Sequence, residues 1–196
     1  MNVDKKYDLR HVAGAVCTVM AVVFLLYPFL HELGHALVGW LLGGEVIRIT
    51  IYPSFYTECY IRPDQLGCYI MTAMAGILFP LLISALIGSG HIGTFLTAFC
   101  LRVMSAGYAL DELVSVSQWI MGSRTEISDL SVLIRETQAD PYAVLILAGV
   151  LLILSLIALA AMAPITRVME LVNAERECSG GERSCCSHWD AGEIRA

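Results

Sequence analysis

Charge is what this sequence has least of. It carries 12 Lys and Arg and 18 Asp and Glu in 196 residues, 15% charged, against about 25% in soluble domains. So few charges cannot clothe a water-facing exterior. The net charge of −6 leaves no basic face, which argues against nucleic acid as a partner. Inverted repeats of the kind that build small transporters are also lacking. The seven Cys are scattered. Cys17 and Cys100 lie in apolar runs and read as small buried hydrophobes. Cys178, Cys185, Cys186 and His188 match no strong zinc spacing, and nothing in this usage demands an oxidising compartment.

What the sequence does have is long uncharged runs. Val12 to Leu30 is one, with apolar character resuming from Ala36 to Leu42. Cys68 to Gly88 and Tyr142 to Thr166 are two more, and Ile92 to Met121 is apolar apart from Arg102, Asp111 and Glu112. Each has the roughly 20 residues that a hydrocarbon core requires. The first run lacks the short core and small-residue cleavage site of a signal peptide, so it is expected to be retained as a helix. Pro28 inside it predicts a kink that frees a backbone carbonyl. Arg102 and Asp111 are too far apart on one helix to touch, so each must face the bundle interior or a membrane end.

Gly43 and Gly44 end the first helix. The β-branched, partly alternating stretch from Val46 to Tyr52 and the returning Phe55 to Arg62, separated by Pro53 and Ser54, predict a β-hairpin at the membrane surface. Such an edge could hold an extended peptide, or serve only as a connection with an aromatic interface belt. Leu130, Leu133 and Ile134 mark a short amphipathic helix with Ser128 or Asp129 at its start. The expected fold class is thus an all-α integral membrane protein of about four transmembrane helices, with a small β-hairpin after the first. Residues 1–166 form one integral domain, and residues 167–196 a polar, disordered tail. Seven Lys and Arg flank the termini against four on the other side, which places both termini in the cytoplasm if the host is the cell membrane.

His31-Glu32-Leu33-Gly34-His35 is the stretch that carries chemistry. Residues four apart on a helix share a face about 6 Å apart along the axis. Two imidazoles at that spacing can close on one Zn²⁺, while Glu32 reaches a water beside the metal and takes its proton. The motif lies in the second half of a membrane helix, where two His and a Glu are costly without a partner that satisfies all three.

With Met74-Ala75-Gly76-Ile77-Leu78-Phe79-Pro80 in the next span, His31-Glu32-Leu33-Gly34-His35-Ala36 resembles the site-2 protease family. These are intramembrane zinc metalloproteases, and the likeness is to their short forms without a PDZ domain. The resemblance covers roughly residues 12–140. It implies that His31 and His35 bind zinc, that Glu32 is the general base, and that the substrate is itself a membrane-embedded protein. The family draws its third ligand from an Asp in an Asn-x-x-Pro-x-x-Pro-x-Asp-Gly element, which this sequence lacks. Its counterpart is Ser128-Asp129-Leu130, with Asp111 the rival. The alternative from another class is a non-catalytic membrane scaffold that keeps the fold; a third zinc ligand separates the two, since two His hold zinc weakly. Oligomeric state is not legible.

Overall fold

The computed structural model describes residues 9–50, 56–60, 65–87, 91–123 and 128–162. The chain runs α1 (Leu9–Ala21), a π-helical turn (Val22–Leu26), α2 (Tyr27–Leu41), β1 (Glu45–Thr50), β2 (Tyr56–Tyr60), α3 (Leu66–Leu86), α4 (Ile92–Ile120), α5 (Asp129–Thr137) and α6 (Pro141–Ala160). Among the described residues, four helical stretches are long and apolar enough to cross a membrane: Val12–Leu41, Leu66–Leu86, Ile92–Ile120 and Pro141–Ala160. The expected class, four spans with a hairpin after the first, is the observed one. The tail, with Cys178, Cys185, Cys186 and His188, lies outside the described residues, as do Tyr52 to Phe55 of the hairpin.

The distribution of polarity is that of a protein in lipid. Phe24, Leu25, Leu86, Ile146 and Ile157 are each at least 60% exposed, whereas Ser84, Ser105, Ser155, Thr72 and Glu112 are buried. An apolar exterior of this extent would drive association in water, but hydrocarbon solvates it at no cost. The buried hydroxyls mostly bond backbone carbonyls: Ser155 Oγ donates to Leu151 O and Ser84 Oγ to Leu81 O.

Pro28 shapes the first span. A proline has no N–H to donate and its ring crowds the carbonyl four residues back. The helix accommodates it by widening into the π-helical turn directly before α2, closed by Tyr27 N–H to Val22 O. Further on, Gly34 lets α2 and α3 approach: a Cβ there would lie 2.5 Å from Ala75 O and 2.8 Å from Phe79 Cβ. Real side chains do not tolerate such contacts, so this crossing requires glycine.

Gly43, at φ +83°, turns the chain out of α2 into the hairpin. The strands pair antiparallel from Glu45 opposite Tyr60 to Thr50 opposite Tyr56, with a bulge between Val46 and Arg48. Thr57 Oγ1 donates to Glu32 O at 3.1 Å and pins the hairpin to α2.

Near the opposite ends of α3 and α6, Arg102 of α4 reaches across the bundle. Its Nε donates to Ser84 Oγ at 3.1 Å and its Nη1 to Ala158 O at 2.7 Å. Both acceptors sit two residues before their helix ends, where the backbone dipoles favour a cation. The guanidinium therefore ties three spans together at the end of the bundle away from the hairpin.

The short helix α5 is not a surface element. Leu130, Leu133 and Ile134 pack with Val116 of α4 and Val144 and Ala148 of α6 in one buried cluster. Its N-terminus lies level with Glu112, eight residues before the end of α4, a depth of about 12 Å at 1.5 Å per residue. Helix α5 thus begins inside the bundle and not at its surface.

Candidate metal centre

His31 and His35 lie on the inner face of α2, both buried, ten and six residues from the helix end at Leu41. Their Nε2 atoms are 3.1 Å apart and their rings meet edge to face, with centroids at 4.7 Å. Asp129, the first residue of α5, places Oδ2 3.2 Å from His31 Nε2 and 3.1 Å from His35 Nε2. Two ligand atoms from one helix and one from a re-entrant helix thus form a nearly equilateral triangle. Asp111, the rival, is exposed on α4 and stands outside this cluster.

Second contacts fix which nitrogen of His35 faces the cluster. Nδ1 of His35 is 2.7 Å from Thr72 O. A carbonyl can only accept, so Nδ1 carries the hydrogen and Nε2 presents its lone pair to the triangle. His31 stacks beside Tyr27 and Tyr108, with centroids at 6.0 and 5.1 Å, and its buried Nδ1 has no hydrogen-bond partner among the described residues.

The chemistry of this donor set fits zinc. Two imidazole lone pairs and a carboxylate oxygen converging at 3.1–3.2 Å repel one another unless a proton or a cation lies between them. Zinc bonds of about 2.0–2.2 Å in tetrahedral geometry place neighbouring ligand atoms about 3.3–3.6 Å apart. The observed triangle is slightly tighter, within a small rotamer adjustment.

Gly76 of α3 makes the space. A Cβ there would fall 2.5 Å from His31 Cε1 and 2.5 Å from His35 Nε2. These atoms are the free ends of side chains, so an added methyl would displace the imidazoles and spare the backbone. Gly76→Ala is accordingly expected to insert and fold normally but to bind zinc about 10–100-fold more weakly, the usual cost of disturbing ligand support. Chelator competition on the purified variant measures this; wild-type affinity would show that the cradle yields elsewhere.

Glu32 points into a cleft of about 180 Å³ that it shares with His35, Asp129 and Thr72. Strand β2 lines the same cleft through Tyr56, Thr57 and Cys59. Burial pushes the Cys59 thiol up, and the Glu32 carboxylate adds to the effect. Cys59 stands outside the cluster of His31, His35 and Asp129.

Three contributors escaped the sequence reading. Gly76 was legible as part of the Met74 to Pro80 stretch of the second span but not as the floor under two imidazoles. Thr72 acts through its carbonyl, which every residue has. Glu112 was visible as a charge in the third span beside Asp111, but adjacent positions point about 100° apart. Only the packing of α4 shows that Glu112 is buried and Asp111 exposed.

No curated protein and no solved structure matches the chain. A family model described as Peptidase M50B-like matches residues 10–106, which include His31, Glu32, His35 and Gly76 and end before Glu112 and Asp129. That match, over the two spans that build the histidine pair and its floor, supports membership of the site-2 protease family.

Proposed function

We propose that this protein is an intramembrane zinc metalloprotease that hydrolyses a peptide bond of a membrane-embedded substrate. The observation that carries the reading is the convergence of His31 Nε2, His35 Nε2 and Asp129 Oδ2 beside Glu32. Three protein ligands with an open side is the arrangement of a catalytic site, whereas structural zinc sites are closed by four.

Zinc bound there would supply Lewis acidity, lowering the pKa of a water on the open side to about 7 and polarising a carbonyl. The chain's own residues do the rest. Glu32, one residue from His31, faces the cleft and not the triangle; it takes the proton of the attacking water and returns it to the leaving amine. The His35 Nδ1–H bond to Thr72 O holds that ring in the ligating tautomer. Strand β2 lines the same cleft as Glu32, so its main chain can pair with an unwound substrate segment. His31 and His35 lie about 15 and 9 Å below the end of α2 at 1.5 Å per residue. A cut at that depth requires the substrate itself to enter the bilayer. The host is read as the cell membrane, with the chain termini cytoplasmic by the Lys and Arg bias.

Metal analysis of the detergent-solubilised protein tests this reading. One zinc per chain is expected, removed by chelation and absent from His35→Ala. A wild type that binds no zinc under any loading condition would leave the non-catalytic scaffold as the better account.

A further inference from the structure

We infer that Glu112 is the positioning residue for the third ligand: its carboxylate holds the buried N-terminus of α5 in the one register that aims Asp129 at the two histidines. The inference rests on the zinc-peptidase reading and extends it to a residue that touches neither substrate nor metal.

Helix N-termini leave backbone N–H groups without helical partners, and within a bilayer these must be satisfied by protein. At α5 they are. Ser128 Oγ accepts from Ser131 N at 3.3 Å. Asp129 N donates to Glu112 Oε1 at 2.9 Å and Leu130 N to Glu112 Oε2 at 3.0 Å. Glu112 is only 5% exposed, a costly place for a carboxylate in a membrane span. The positive end of the α5 dipole and two charge-assisted bonds meet that charge.

Both carboxylate oxygens grip consecutive amides, so the contact fixes α5 along its axis and about it. A slip of one residue would shift the helix about 1.5 Å and turn it about 100°. Asp129 Oδ2 would then leave the 3.1–3.2 Å positions it holds against His31 and His35. Ser128 and Ser131 cap each other within the first turn of α5, and the Ser128 side chain also hydrogen-bonds Glu112. Glu112 is the cap that refers α5 to a different span. Asp111, one position away and exposed, cannot substitute.

The test uses the full chain purified in detergent: wild type, Glu112→Gln, Asp129→Ala and the double variant. Zinc affinity is read by competition with a chromophoric chelator, and coordination by the visible absorption of the cobalt-loaded protein. Gln keeps the shape but turns an NH₂ toward one amide. Glu112→Gln is expected to weaken zinc about 10–100-fold and to alter the cobalt spectrum. In the Asp129→Ala background the same change should move affinity less than twofold, because Glu112 acts through Asp129.

An unchanged affinity and spectrum in Glu112→Gln would overturn the inference. So would an equal loss with and without Asp129, which would mark Glu112 as general structural support. Should Glu112→Gln not fold, Glu112→Asp, which keeps the charge on a shorter arm, takes its place in the same four-way comparison. A wild type that binds no zinc overturns the proposed function together with this inference. A wild type that binds zinc and cleaves, with Glu112→Gln equal to it, overturns the inference alone.

Discussion

Glu32→Gln is expected to retain one zinc per chain and to lose cleavage by about 10²–10⁴-fold, the contribution typical of a positioned general base. The amide preserves the shape of the side chain in the cleft shared with His35 and Asp129 but cannot accept the proton of an attacking water. Insertion should be unaffected, since a neutral amide is cheaper to bury than a carboxylate. The triangle of His31, His35 and Asp129 does not include Glu32, so metal content should hold. Co-expression with a membrane-protein substrate, beside metal analysis of the same preparation, separates the two effects. Equal cleavage by wild type and variant would remove the proteolytic reading whatever the metal content.

The second large effect is expected at Asp129. Asn keeps an oxygen near His31 and His35 but removes the negative charge, and a neutral carbonyl is a poorer ligand for Zn²⁺ beside two neutral imidazoles. Asp129→Asn should weaken zinc by at least the 10–100-fold that outer supporting contacts alone cost, and cleavage should fall with it. Asp111→Asn is the matched comparison. Asp111 is exposed on α4 and contributes no atom to the cluster, so its change should stay within about 0.5 kcal/mol of wild type in stability and leave zinc stoichiometry intact. Metal lost from the Asp111 variant and kept by the Asp129 variant would move the ligand into the third span.

The contrast between these two aspartates shows how far the sequence reaches. The four spans were legible because hydrocarbon thickness imposes a length of about 20 uncharged residues on any crossing helix. The first is one helical stretch from Val12 to Leu41, long and apolar enough to cross, in spite of Pro28 and the His-Glu pair. The hairpin was legible from a change of period after Gly43 and Gly44, a local signal. The pairing of His31 with His35 was legible because helix geometry alone puts residues four apart on one face. Each of these properties is decided by neighbours in the chain.

The remainder depends on contacts across the chain. Asp129 reaches His31 and His35 from 98 and 94 positions away. Nothing near it in sequence announces this, because the family's proline-rich element around that ligand is absent. That α5 re-enters the bundle follows from the burial of Leu130, Leu133 and Ile134 between α4 and α6. The amphipathic pattern predicted the helix, but it fits a surface helix equally well. Whether Asp111 or Glu112 faces inward is a matter of helix rotation, set by the packing of the whole of α4. Period and length are local quantities, so the spans, the hairpin and two of the three side chains of the cluster could be read from the residues in order. Tertiary structure alone decided the third, the tautomer of His35 through Thr72 O, and the glycine floor at Gly76. Those depend on where separate helices meet, and the distance between helices is not written in either one.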